Sequence, residues 1–264
     1  MKHPSYLSRR NVVLGGLASV GSAALVSPRT ILAATDEAPK STHTWLGLGH
    51  KRLYNFDVDM RIDTIPSPLN PRWLYFPSLQ VNFEKNDEWA HGGVQWAGGR
   101  KKINWGGGSD TGYGKSFDGK EMSILQEYDW DVGTWYRYRV WRVNKDETGY
   151  NRWLFTIKNY ATGQEKQIGS LRTFSDWITG AVVWIETGYG VVCDTEPVRI
   201  SWRNPVYRGA TPGLHQPTSG TTSYNGTCTG TANSNQWLTG RDPLQWVQAT
   251  NTPRTTPHGT KLWG

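Results

Sequence analysis

The 264-residue sequence has little with which to build helices, hold a cofactor or cross a membrane. No stretch of useful length repeats its apolar residues at helical spacing, which argues against bundles and alternating α/β folds. Nucleotide, haem, molybdenum and iron–sulfur signatures are missing. Gly114-Lys115-Ser116 imitates the end of a phosphate loop, but no helix pattern follows it. His43, His50, His91, His215 and His258 are scattered without ligand spacing, which argues against zinc. No apolar run reaches the ~20 residues of a spanning helix. The longest, Val12 to Val26, is diluted by Gly15, Gly16, Ser19, Gly21 and Ser22.

That weak apolar run is itself informative. It follows Arg9-Arg10 and leads to the small pair Ala33-Ala34, the layout of a secretory leader. Arg9-Arg10 with Val13-Leu14 resembles a twin-arginine signal, an address read by a receptor and not an anchor. Residues 1–34 are therefore expected to be a cleaved leader, handled by the twin-arginine translocation machinery. The mature chain is expected in the periplasm, the cell envelope or outside the cell, without stable membrane insertion. An ordinary secretory signal and an uncleaved anchor are the alternatives. The leader holds four bases and no acid, so removing it reduces the 29 Lys and Arg to 25, against 22 Asp and Glu. So small an excess gives no reason to expect a nucleic-acid partner.

Only two cysteines are present, and both, Cys193 and Cys228, lie in the exported part. An even count in an oxidising compartment predicts one disulfide, two inert buried thiols being the alternative.

What the sequence has in quantity is 15 Trp, 12 Tyr, 30 Gly and 14 Pro. Several segments alternate with the period of half-buried strands. Tyr136, Tyr138 and Val140 oppose Trp135, Arg137, Arg139 and Trp141. Trp153, Phe155 and Ile157 oppose Arg152, Leu154, Thr156 and Lys158. Tyr54, Phe56, Val58, Met60 and Ile62 oppose Asn55, Asp57, Asp59, Arg61 and Asp63, and Val198, Ile200 and Trp202 oppose Arg199, Ser201 and Arg203. Gly149 and Gly163 fall in segments of hairpin length. So many strands in one sheet would curl or split. The prediction is an all-β, two-sheet antiparallel sandwich of jelly-roll type over residues 35–208. Residues 209–264, rich in Gly, Thr and Pro, read as a small irregular extension packed on it.

The series Gly93-Val94-Gln95-Trp96, Ile103-Asn104-Trp105-Gly106-Gly107 and Tyr128-Asp129-Trp130-Asp131-Val132-Gly133-Thr134-Trp135-Tyr136-Arg137 is similar to an uncharacterised family of secreted bacterial proteins. Its later motif is matched by Val183-Trp184-Ile185-Glu186, Cys193 and Val198-Arg199-Ile200-Ser201-Trp202. The resemblance spans residues 73–208 and implies the concanavalin A-like lectin/glucanase superfold. That superfold hosts sugar binders, hydrolases, lyases and scaffolds, so the resemblance implies no catalytic set.

Two features point beyond folding. Rings near glycine-rich turns, Trp96 and Trp105 among them, suit the faces of sugars. Arg137, Arg139, Arg152 and Lys158, with Trp141, gather on one face of the expected hairpin and suit carboxylate- or sulfate-bearing polymers. The competing reading is a solvated face balanced by Asp57 and Asp59. Polysaccharide binding, acidic polymers included, is the expected function, with Gln95, Trp96, Trp105, Arg137, Arg139 and Trp141 as the binding residues. A glycoside hydrolase or polysaccharide lyase is the alternative, with Glu127 and Glu186 as the acids to test and His91, Gln95 and Arg137 as lyase-type groups. A structural or interaction role in the cell envelope is a third. Glu127, Asp129 and Asp131 alternate, but Asp131-Val132-Gly133 reads as a turn that breaks the face. No cofactor is expected beyond a structural calcium on Asp110, Asp118 and Glu121.

Overall fold

The structure is a computed structural model. It describes residues 41–264 except 86, 110–111, 114–122, 148, 189, 227 and 229–232, and no side chain of 109, 112, 113 or 123. The leader expected over residues 1–34 and the calcium-type residues Asp110, Asp118 and Glu121 lie outside the described residues.

The described chain contains strands and no helix. In chain order they are β1 (Ser41–Gly47), β2 (Leu53–Thr64), β3 (Leu74–Phe83), β4 (Trp89–Ala97), β5 (Arg100–Ser109), β6 (Gly112–Tyr113), β7 (Ser123–Glu127) and β8 (Trp135–Lys145). They continue as β9 (Asn151–Asn159), β10 (Glu165–Thr173), β11 (Ile178–Gly188), β12 (Arg199–Gly209), β13 (Ser219–Asn225), β14 (Asn233–Arg241), β15 (Leu244–Thr252) and β16 (Lys261–Trp263).

Two antiparallel sheets result. Sheet I runs β10-β9-β8-β2-β12-β15-β14. Sheet II runs β16-β13-β1-β11-β3-β4-β5, with β6 and β7 both paired to β5. Between them β2 and β11 share a single bridge, Leu53 to Ile178. The all-β sandwich predicted from alternation is the observed fold.

The inner faces are those the alternation assigns, except at Tyr54, which is 37% exposed where the β12–β2 register shifts between Asn55 and Leu53. Phe56, Val58, Met60, Tyr136, Tyr138, Trp153 and Phe155 of sheet I and Leu79, Val81, Val94, Ile103 and Trp105 of sheet II are sealed from solvent. Burying one such large side chain stabilises the fold by about 1.5–3 kcal/mol. Two buried polar pairs cross the layers: the Val94 amide donates to the Tyr138 hydroxyl at 2.9 Å and the Trp105 indole to the Trp153 carbonyl at 3.3 Å. Gly92 is a glycine for want of room, since a Cβ there would stand 2.8 Å from the Phe155 ring.

The segment after Tyr207 is more regular than its composition implies. It supplies β13 and β16 to sheet II and β14 and β15 to sheet I, so it is woven into both layers. Thr44, Gln236, Trp246 and Gln248 form a buried polar cluster that joins it to β1. Cys193 and Cys228 are bonded, with Cα atoms 5.7 Å apart, linking the β11–β12 connection to the β13–β14 connection.

Candidate ligand-binding face

Each sheet has an outer face, and the two differ in what they hold. On sheet I the expected basic face forms, but the charges of Arg137 and Arg139 are spent internally, while Arg152 donates to the Ser170 hydroxyl at 2.8 Å and Lys158 lies 5.9 Å over the Tyr160 ring. Arg137 donates to Asp59 at 2.8 Å and Arg139 to Asp57 at 3.1 Å, and Arg203 reaches Asp59 at 3.3 Å. The Tyr160 hydroxyl and the Asn204 amide also donate to Asp59, each at 3.1 Å. Asn204 gets there because the β12–β2 register shifts between Arg203 and Val206. Asp57 and Asp59 are only 3% and 1% exposed, although they point away from the core. Burial pulls the pKa values of Arg137 and Arg139 down, but the hydrogen bonds and charges of the two carboxylates reverse this and leave both raised. Arg203 also lies over the Trp135 ring at 3.9 Å, with Arg61 at 4.7 Å. The competing sequence reading, a face balanced by Asp57 and Asp59, describes sheet I.

The outer face of sheet II is built from different chemistry, and the registers give its rows. One row reads Ser41, Glu186, Phe76, Gln95, Lys102 and Glu127 across β1, β11, β3, β4, β5 and β7. The next reads His43, Trp184, Ser78, Gly93, Asn104 and Leu125. A third reads Trp45, Val182, Gln80, His91 and Gly106. The middle of these rows is a buried floor, with Ser78, Gln80, Gln95, Asn104 and Trp184 all below a tenth exposed. The flanks stand clear, Trp45 at 41% and Leu125 at 52%. Glu186 is also exposed.

Rings meet around His91, whose centroid lies 5.2 Å from Phe76, 5.2 Å from Trp89 and 5.4 Å from Trp184, while His43 approaches Trp184 at 5.6 Å. Two histidines far apart in sequence thus share one indole. The Trp184 Nε1–H is buried with no hydrogen-bond partner among the described residues, leaving a donor unspent on the floor. Gln80 donates to Asn82 at 2.7 Å and the Ser78 hydroxyl to the Gly92 carbonyl at 3.1 Å. An amide, hydroxyl and aromatic floor between exposed flanks is suited to a ligand that is itself rich in hydroxyls and C–H faces.

The residues expected to bind do not form one site. Gln95 lies on the outer face of sheet II. Trp96 turns inward, where it packs against the core and donates to the Asn70 carbonyl at 2.9 Å. Trp105 is fully buried and stacked on Phe155 at 5.2 Å, so its ring offers nothing to a ligand. Arg137, Arg139 and Trp141 belong to sheet I, Trp141 being 42% exposed. The lyase-type group of His91, Gln95 and Arg137 is accordingly split between opposite faces. The acids fare no better as a pair. Glu127 and Glu186 share a face and a row but are four strand spacings apart, about 19 Å, against the ~5–10 Å of glycosidase carboxylate pairs. Glu127 is also engaged by Arg100. Asp129 and Asp131 follow the end of β7 and both reach Lys101, so they belong to the turn and not to a catalytic face.

The sequence reading overlooked Ser78, Gln80, Trp184 and Trp45. For Ser78 and Gln80 the signal is the alternation of Phe76, Ser78, Gln80 and Asn82 with Tyr75, Leu79, Val81 and Phe83. Among the described residues no three His, Cys, Asp or Glu side chains gather to hold a metal.

A groove of about 430 Å³ lies beyond the Glu186 row, between the β2–β3 and β11–β12 connections, lined by Pro66, Pro68, Trp73, Val192, Asp194 and Glu196 among others.

No protein-family model matches the chain, and no curated protein matches it in sequence. Solved structures match it in fold. The Scytalido-glutamic peptidase bound to a peptide-based transition-state analogue superposes with a TM-score of 0.50 and 9% identity over 82% of this chain and 99% of its own. SCP-B, a member of the Eqolisin family of peptidases in complex with a tripeptide, gives 0.46 and 9% over the same shares. The kappa-carrageenase of Pseudoalteromonas carrageenovora with a carrageenan oligosaccharide gives 0.28 and 9% over 80% and 79%. At such identities the likeness to the first of these is one of fold: this chain is an all-β sandwich.

Proposed function

We propose that the chain is an exported β-sandwich protein that binds polysaccharide along the outer face of sheet II. What supports this reading is the exposed Trp45 and Leu125 standing beside a floor of amides and rings, Gln80, Gln95, Phe76 and Trp184, whose side chains keep only 5–8% exposure. Rings of this kind stack on the apolar faces of pyranoses, and amides take both donor and acceptor roles toward hydroxyls. A neutral polymer fits this face better than an acidic one: Arg137 and Arg139 are tied to Asp59 and Asp57 on the other sheet, and here Lys102 is set in a row that also holds Glu127 and Glu186. The disulfide fits an oxidising compartment.

The test is retention on a panel of insoluble neutral polysaccharides, with Trp45→Ala as the matched control. The wild type is retained on at least one, and Trp45→Ala is weakened by about 5–10-fold, the worth of one stacked ring. No retention on any glycan would leave the envelope-interaction role in its place.

A second reading has one observation in its favour. Glu186 stands exposed on the same face, and a carboxylate can act as general base on a water. The superposed peptidase makes peptide hydrolysis the first reaction to assay, with reducing-end release from glycans the second. Loss of a detected activity in Glu186→Gln, with retention on glycans absent, would favour hydrolysis over binding.

A further inference from the structure

The groove between the β2–β3 and β11–β12 connections lies apart from the polysaccharide face, and its chemistry is different. Pro66, Pro68, Val192 and Trp73 give it apolar walls, and Asp194 and Glu196 give it charge of one sign only. Neither carboxylate has an ion-pair or hydrogen-bond partner among the described residues. This is unusual in a protein whose other acids are so often answered by arginine or lysine, as at Asp57, Asp59, Asp129 and Asp146. Among the described residues no cation lies over the Trp73 ring, whereas Trp135 and Trp177 are covered by arginines.

A third group lies next to Trp73 on the core side. Tyr75 is 1% exposed, its ring meets Trp73 edge-on at 6.0 Å, and its hydroxyl has no hydrogen-bond partner among the described residues. Burial, and then the charge of Glu196, raise its pKa, so it stays neutral beside that carboxylate.

The geometry points to a binding groove for an organic ammonium ion, held by the Trp73 indole and the Asp194 and Glu196 carboxylates. An aromatic ring attracts a cation through its quadrupole, and the two acids supply the counter-charge. A hard metal ion does not suit this lining. Calcium takes six to eight oxygen ligands, and here half the wall is proline, valine and indole. An ammonium group on a carbon stem uses both halves: the head meets the carboxylates, and the stem lies along the apolar wall. A lysyl side chain and an amino sugar share this chemistry.

The experiment is a titration of the ¹⁵N-labelled protein, following the Trp73 indole N–H resonance, assigned by its loss in Trp73→Phe. The ligands are N-acetyl-lysine methylamide and glucosamine, each beside its neutral N-acetylated counterpart. A saturable shift is expected with an ammonium ligand and none with its acetylated form, and the tighter of the two identifies the source. The double variant Asp194→Asn/Glu196→Gln, isosteric at exposed positions, should keep the wild-type amide spectrum and weaken binding by about tenfold. Three results would overturn the assignment: equal shifts from the neutral forms, no shift from either ammonium ligand, or a double variant within about twofold of wild type. None of these bears on retention by polysaccharide, which is read at Trp45 on another surface.

Discussion

At the scale of single residues, the molecule is decided by what each strand neighbour leaves room for. Gly92 faces the Phe155 ring so closely that an added methyl would overlap it. Gly92→Ala should therefore destabilise by about 1–3 kcal/mol in urea titration, as overpacking does elsewhere. A change below about 0.5 kcal/mol would mean that the ring is free to move. Asp59 is the hub of the sheet I network, and Asp59→Asn leaves Arg137 and Arg203 without their counter-charge. Because these arginines are about a quarter exposed, solvent screening reduces the expected loss to about 2–3 kcal/mol. Glu88 behaves oppositely. Burial raises its pKa against the hydrogen bonds from Ser175 and the Phe174 backbone, so the fold favours its neutral form. That contribution to stability is present in full below the unfolded-state pKa and is lost as pH rises through the folded one. The melting temperature of wild type relative to Glu88→Gln should accordingly increase on going from pH 7 to pH 4. A difference that shrinks over this range would contradict the sign.

At the scale of elements, period-two alternation was enough to place β2, β8, β9 and β12 and to assign their inner faces, because one side of each meets the core and the other does not. The same alternation is present in β3, Ser78, Gln80 and Asn82 against Leu79, Val81 and Phe83, but nearly all of that strand is buried, so its outer side does not read as a surface. Phe76, Ser78 and Gln80 point away from the core yet are covered on the outer face of sheet II, so burial there carries no polarity signal. The arginine face was legible as a pattern, but its meaning was not. That Asp57 and Asp59 stand directly opposite Arg139 and Arg137 follows from the β2–β8 register, a non-local fact. Trp96 and Trp105 were assigned to solvent on the strength of nearby glycines. Those glycines instead let the inner layer close, as at Gly92, and both rings face inward. The C-terminal strands were obscured by Gly and Thr, and their order comes partly from the disulfide. With 35 residues between the two cysteines, Cys193→Ser/Cys228→Ser should lose about 3–4 kcal/mol in the chain-entropy account, read as a lower denaturation midpoint. An unchanged midpoint would show that β13–β16 are held by sheet pairing alone.

At the scale of the whole molecule, two sheets share one core and divide the surface chemistry between them. Sheet I answers Arg137, Arg139 and Arg203 with Asp57 and Asp59 and sets Trp135 and Tyr160 against its cations. Sheet II keeps amides, rings and an exposed carboxylate on a floor with standing flanks. The candidate site was half legible for this reason: Gln95 and Glu186 could be named from the sequence, but the side of the sandwich on which they meet Ser78, Gln80 and Trp184 depends on pairings between strands far apart in the chain. The central claim, that sheet II and not sheet I holds the glycan, is tested most directly by affinity electrophoresis in gels containing a retained polysaccharide, comparing Trp45→Ala/Gln80→Ala with Arg139→Ala/Trp141→Ala. The account predicts that the first variant migrates as if no glycan were present while the second is retarded like wild type; retardation lost only in the second would contradict it.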